Sequence, residues 1–149
     1  MPDALMLEVV TPEREVVRES VGEVQLPGRA GYLGILPGHT PLLTELGIGA
    51  LSYRKGAETV YIAVAGGFAE ALPGRVIVLA DTAERADKID VARARAALEA
   101  AEKTLATGAA DPATDWNALL QSVARARTRL EVAAHGGAAA ASPETRGAH

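Results

Sequence analysis

The sequence predicts an all-β plus α fold: an N-terminal β-sandwich over residues 1–86, a C-terminal antiparallel helical hairpin over 87–135, and a disordered tail over 136–149. Three observations predict it. Before residue 87, short runs of β-branched or large apolar residues are separated by Gly, Pro or charged clusters, the punctuation of a sandwich or barrel. Near Asp87 the chain becomes alanine-rich and takes a helical period. The last stretch, AAAASPETRGAH, has no apolar period at all.

The strands are expected at Leu5–Val10 and at residues 21–26, 49–54, 59–65, 68–72 and 75–79. LMLEVV puts Leu5, Leu7 and Val9 on one face. In ETVYIAV both faces are fairly apolar, as in a strand covered on both sides. Turn signals recur at residues 27–31, 37–38, 54–56 and 73–74. Ala65-Gly66-Gly67-Phe68 lies between two strands and leads into no helix, so it reads as a tight turn or bulge needing positive φ, not as a phosphate loop.

In the first helix Val91, Ala94, Leu98, Ala101 and Leu105 recur at steps of three and four. Asp87 or Asp90 can cap its start, and Gly108 stops it. Asp111-Pro112 resembles an N-cap with proline at the first helical position. The second stripe is Trp116, Leu119, Val123, Ala126, Leu130 and Ala133, ending at Gly136 and Gly137. Two such helices on a short connection pack antiparallel. Alanine seams allow close approach but bury little area, at about 25 cal/mol per Å2, so this hairpin is expected to detach or rearrange when a partner competes.

The chain has 149 residues and a net charge of −4, which suits one domain with an appendage. Hydrophobic residues make up 48% but aromatic ones only 3%, so a core must come from Val, Ile and Leu. Cysteine is absent, which excludes disulfides, thiol catalysis and Cys-based zinc sites. No apolar run reaches the ~20 residues of a membrane span, and the N-terminus does not read as a signal peptide. Direct membrane insertion is not expected, and membrane association would run through a partner protein. Residues 1–86 hold eleven Asp/Glu against seven Lys/Arg, and residues 87–135 seven of each. That balance argues against nucleic-acid binding.

Chemistry is sparse. His135 and His149 sit at expected helix and chain ends, which leaves His39 within ordered sequence. His39 reads as a catalytic base, a turn residue or a partner contact, and no nucleophile elbow or second ligand supports the first. On the hairpin, Asp90 and Arg93 are three apart and Arg125 and Arg129 four apart. Antiparallel packing would bring them together, as a solvated ion-pair cluster or as an anion or nucleotide site.

Four segments in order carry a resemblance: residues 7–14 (LEVVTPER), Gly34-Ile35-Leu36-Pro37-Gly38-His39-Thr40-Pro41-Leu42-Leu43, Ala65-Gly66-Gly67-Phe68, and VIVLAD at 76–81. Together with the sandwich-then-hairpin order, they are similar to the epsilon-subunit family of bacterial F-type ATP synthase, called delta in mitochondria. The resemblance implies a non-catalytic central-stalk subunit, coupling proton transport to ATP synthesis. It implies contacts with the gamma subunit and the c-ring through Tyr32, His39 and Leu42. Many relatives carry an acidic residue where this chain has Tyr32. The hairpin would reach the alpha and beta subunits when extended, where it can block ATP hydrolysis. Ile89-Asp90-Val91-Ala92-Arg93-Ala94 matches the I/L-D-x-x-R-A motif of nucleotide-binding members. Ile89, Asp90, Arg93, Arg125 and Arg129 are thus candidate ATP-binding residues. Ala100 stands where a further basic residue is expected, so ATP would be a weak regulatory ligand. The implied location is peripheral, on the cytoplasmic face of the bacterial cell membrane. A freestanding ligand-binding β-sandwich is the alternative, and would show a deep pocket. A small hydrolase would need a nucleophile near His39.

Overall fold

The computed structural model describes residues 4–107 and 112–141. Eight strands come first: β1 (Leu5–Val10), β2 (Glu15–Val21), β3 (Glu23–Gly28), β4 (Gly31–Ile35), β5 (Leu42–Glu45), β6 (Ile48–Lys55), β7 (Glu58–Leu72) and β8 (Arg75–Arg85). A short 3-10 turn at Ala86–Lys88 leads to α1 (Val91–Thr107) and α2 (Trp116–Ala141). The strands form one hydrogen-bonded sheet in the order β2-β1-β8-β7-β6-β3-β4, with β5 paired to β7.

That sheet folds into two layers because β7 and β8 are long enough to serve both. Residues 68–71 of β7 pair with β5, and residues 58–65 pair with β6. The start of β8 pairs with β1 in parallel, while its end stays with β7. The change of layer falls at Gly66 and Gly67, with φ of +74° and +115°. An added Cβ at Gly67 would strike the Leu79 carbonyl oxygen and the Ala80 Cα. The β7–β8 register is the same on both sides of this point, from Ala65 opposite Thr82 to Gly67 opposite Ala80. The glycine pair is therefore a kink inside one long strand, not a turn between two. The positive φ read from the sequence is present.

The core lies between the layers. Leu5, Leu7 and Val9 of β1 meet Val24, Leu26, Leu51, Ile62, Val76 and Val78, all within a single buried cluster. Tyr53 of β6 is 1% exposed, and its hydroxyl donates to Glu19 Oε2 on β2 at 2.8 Å. Lys55 donates to Glu19 Oε1 at 2.9 Å, which completes a bolt across the layers.

The elements differ from the expectation in several places. Residues 21–26 are the junction of two strands around Gly22, and β2, β4 and β5 add to the expected set. These three carry Glu, Arg, Gly or Thr among their apolar residues, which weakens the local pattern. Helix α1 is capped as read: Asp90 Oδ1 accepts from the Arg93 N–H at 3.0 Å. Helix α2 is capped by Asp115, whose Oδ1 accepts from the Ala118 N–H at 3.1 Å, and Pro112 sits in the preceding turn. Gly108 and Asp111 lie outside the described residues, as do residues 142–149 of the expected tail. Helix α2 does not stop at Gly136 but continues to Ala141, through an alanine run of high helix propensity. Gly136 instead provides a close approach, since a Cβ there would collide with Ala86.

Helix α1 packs on α2, and α2 lies along β6 and β7 and against the 3-10 turn. Under it, Ala50, Ala63, Ile89 and Val132 form a second buried cluster, edged by Tyr61, Ala86 and Ala133.

Candidate functional site

Two surfaces stand out. The first is the outer face of the β2-β1-β8-β7-β5 layer. Inward positions of these strands are core residues, so the alternate positions face out. Register aligns Glu45, Phe68, Leu79 and Val10 in one row, and Leu43, Glu70, Ile77 and Glu8 in the next. Leu43 is 70% exposed, Leu79 57% and Phe68 55%. No described element covers this apolar strip, and acidic residues border it. A strip of this kind marks a protein–protein contact more often than chance exposure.

The loop from β4 to β5 leads onto this layer. The Gly38 N–H donates to the Pro73 carbonyl at 2.6 Å, which ties the loop to the β7–β8 turn. The His39 N–H closes a turn onto the Leu36 carbonyl at 3.1 Å. His39 Nδ1 lies 2.6 Å from the Thr40 carbonyl, so Nδ1 carries the proton. The ring is thus oriented by its own turn, and among the described residues no side chain is hydrogen-bonded to it. Tyr32 is 59% exposed, and its hydroxyl accepts from the Ala50 N–H at 3.0 Å. That N–H lies where β3 carries Pro27. Leu42 turns inward against the core, whereas its neighbour Leu43 turns out. Hence Tyr32 on β4 is exposed, Leu42 on β5 is half-buried against the core, and His39 lies on the loop between them. Strand alternation makes Leu43 the exposed member of that leucine pair, and Phe68 and Leu79 join it only through sheet register.

The second surface is the cleft between the hairpin and the sandwich, about 530 Å3 in volume. Arg125 and Arg129 line it from α2, Glu84 from β8, Ala97 from α1, and Glu13 and Arg14 from the turn after β1. Arg129 Nε donates to Glu84 Oε1 at 2.7 Å, and a second nitrogen reaches Oε2 at 3.3 Å. Arg125 donates to Ser122 Oγ at 3.2 Å. Arg14 is presented by a turn in which Thr11 N–H donates to the Arg14 carbonyl at 2.9 Å.

The five residues read as a nucleotide site are only partly assembled. Arg125 and Arg129 share the cleft. Asp90 is occupied in capping α1, Arg93 beside it is exposed, and neither is among the cleft's lining residues. Ile89 is 8% exposed, in the cluster beneath α2. Glu84 enters from β8 and Arg14 from the β1–β2 turn, both far from α2 in sequence, and no helical spacing could have revealed them. Among the described residues no group of His, Asp or Glu is placed to hold a metal, and no helix is long and apolar enough to cross a membrane.

An uncovered apolar strip on a sandwich that also carries a packed helical hairpin fits a protein that works through contact with other chains. Its likeness to known proteins agrees. Residues 4–86 match the beta-sandwich domain of the ATP synthase delta/epsilon chain, and residues 87–134 match the long alpha-helix domain of the same chain. The ATP synthase epsilon chain of Solibacter usitatus is 54% identical over 130 residues, covering 86% of this chain and 97% of that one. ATP synthase epsilon chain 2 of Syntrophotalea carbinolica is 46% identical over 138 residues, covering 92% and 99%. In fold, the protein resembles a chain of the Euglena gracilis mitochondrial ATP synthase, OSCP/F1/c-ring in rotational state 1. The TM-score is 0.65 at 21% identity, covering 94% of this chain and 83% of that one. The chain belongs to the delta/epsilon family of ATP synthase, as an epsilon chain and a non-catalytic subunit of the central stalk.

Proposed function

We propose that the sandwich docks on the gamma subunit and the c-ring, so that rotation driven by proton flow is passed to the catalytic head. The exposed strip of Leu43, Phe68 and Leu79 carries this reading. In the complex the protein is held peripherally, on the cytoplasmic face of the bacterial membrane. A freestanding ligand-binding sandwich would leave that strip without a role. The experiment is capture of the tagged chain from detergent-solubilised membranes. Gamma and the c-ring should co-purify, and Leu43→Asp with Phe68→Glu should release them while the subunit stays folded. Capture without gamma sinks the reading.

The hairpin is the regulatory element in this reading: clipped to the sandwich in one state, extended toward alpha and beta in another, where it blocks hydrolysis. The arginine cleft supports a second role as a weak ATP site, since guanidinium forks pair well with phosphate oxygens. Arg14 brings a cation where α1 brings none. Titration of the isolated subunit with ATP, followed through its amide spectrum, tests this. Shifts should saturate and disappear in Arg129→Ala and Arg125→Ala. A flat response up to ~10 mM, far above ordinary ligand affinities, leaves these arginines as ion pairs only.

A further inference from the structure

Helix α2 holds the hairpin down, because α1 packs on α2 while α2 carries the contacts to β6, β7 and the 3-10 turn. Those contacts gather toward one end of α2. Arg129 is paired with Glu84. One turn on, Val132 is fully buried among Ala50, Ala63 and Ile89. The His135 ring then stacks on Tyr61, with centroids 3.9 Å apart and planes 10° from parallel. Gly136 lies so close to Ala86 that a Cβ would not fit. At the other end of the helix, Trp116 is 40% and Leu120 53% exposed.

The position of this end matters. Ala86–Lys88 is the segment that joins the sandwich to α1, so any swing of the hairpin turns about it. The tail end of α2 therefore sits on the hinge itself. We propose that the last described turns of α2 are a latch on that hinge: His135 stacked on Tyr61 and Gly136 seated on Ala86 must part before the hairpin can leave the sandwich. This rests on the reading above that the hairpin moves. The latch fits its materials. A stacked ring pair contributes modestly, and glycine permits approach without adding a side chain to extract. The closed state is thus favoured without being sealed.

The absence of cysteine makes the test direct. Val132→Cys places one thiol beneath α2, and Val64→Cys places one in the sandwich core; both positions are buried. A thiol reagent reaches each only when its cover opens, so the labelling rate reads the open fraction. In the Val132→Cys chain, His135→Ala should raise the rate roughly two- to tenfold, the range for loss of a stacked pair. Gly136→Ala should raise it roughly tenfold, equivalent to 1.4 kcal/mol, even though alanine favours helix. The Val64→Cys rate should not move. If both sites speed up together, the variants loosen the whole fold and the latch is wrong. If Val132→Cys opens faster than Val64→Cys but ignores both substitutions, the hairpin moves without this latch. Should Val132→Cys react only as fast as Val64→Cys, the hairpin does not open separately, and the regulatory reading fails with it.

Discussion

Tyr53 shows how a single buried group sets a pH limit. Burial, and then its hydrogen bond to Glu19, pushes its phenol up to about 12. Glu19 moves the opposite way, held low by the hydrogen bond from Lys55 and then by that from Tyr53. The signs follow from linkage. Below pH ~10 Tyr53 is neutral in both the folded and unfolded chain. Between there and about 12 the unfolded chain ionises first, so stability falls as pH rises. Glu19 contributes fully above the ordinary carboxylate range, and that contribution is lost as pH falls from there through its lowered folded value. Alkaline unfolding curves of Tyr53→Phe should therefore be flatter than those of the native chain over this window, by on the order of 1 kcal/mol once solvent screening at the Glu19–Lys55 end is allowed for. Equal slopes would mean that Tyr53 ionises freely in the fold.

At the scale of elements, β7 and α2 both use glycine where local pattern suggests an ending. Gly67 lets one strand cross between layers, at a φ of +115° and against the Leu79 carbonyl. Gly67→Ala should destabilise the sandwich by roughly 2–3 kcal/mol, read as a lower urea midpoint with an unchanged slope. Gly136 lets α2 meet the hinge turn. Helix α2 also has two working faces. The stripe read from the sequence includes Val123 and Ala126, both buried. The sheet-facing Thr128 and Val132 are buried too, and lie outside that stripe. Each face is narrow, so a one-stripe reading captures only the stronger.

For the whole molecule, the two buried clusters are separate in size and place. The sandwich encloses its own large side chains, while the hairpin covers chiefly Ala50, Ala63 and Ile89. Removing residues 87–149 should then leave a folded, monodisperse sandwich, with circular dichroism keeping its β signal and the melting temperature lower by a few degrees. In the assembled enzyme, ATP synthesis should persist, and hydrolysis should rise if the hairpin inhibits it as proposed. Precipitation of the truncated chain would show that α2 protects more apolar surface than these alanines supply.

The residue order by itself determined the strand-rich first part followed by helices, the capped α1 and the positive φ at Gly66 and Gly67. Each of these is a local matter of period, capping or backbone freedom, visible within a few neighbours. Only tertiary structure decided that two expected strands are one, that Leu43 and not Leu42 faces out, and that Glu84 and Arg14 join Arg125 and Arg129 while Asp90 and Arg93 stay apart. These outcomes depend on sheet register and on a helix lying across a sheet. Both bring together residues far apart in the chain, and their free energy comes from the pairing itself, which no single segment encodes.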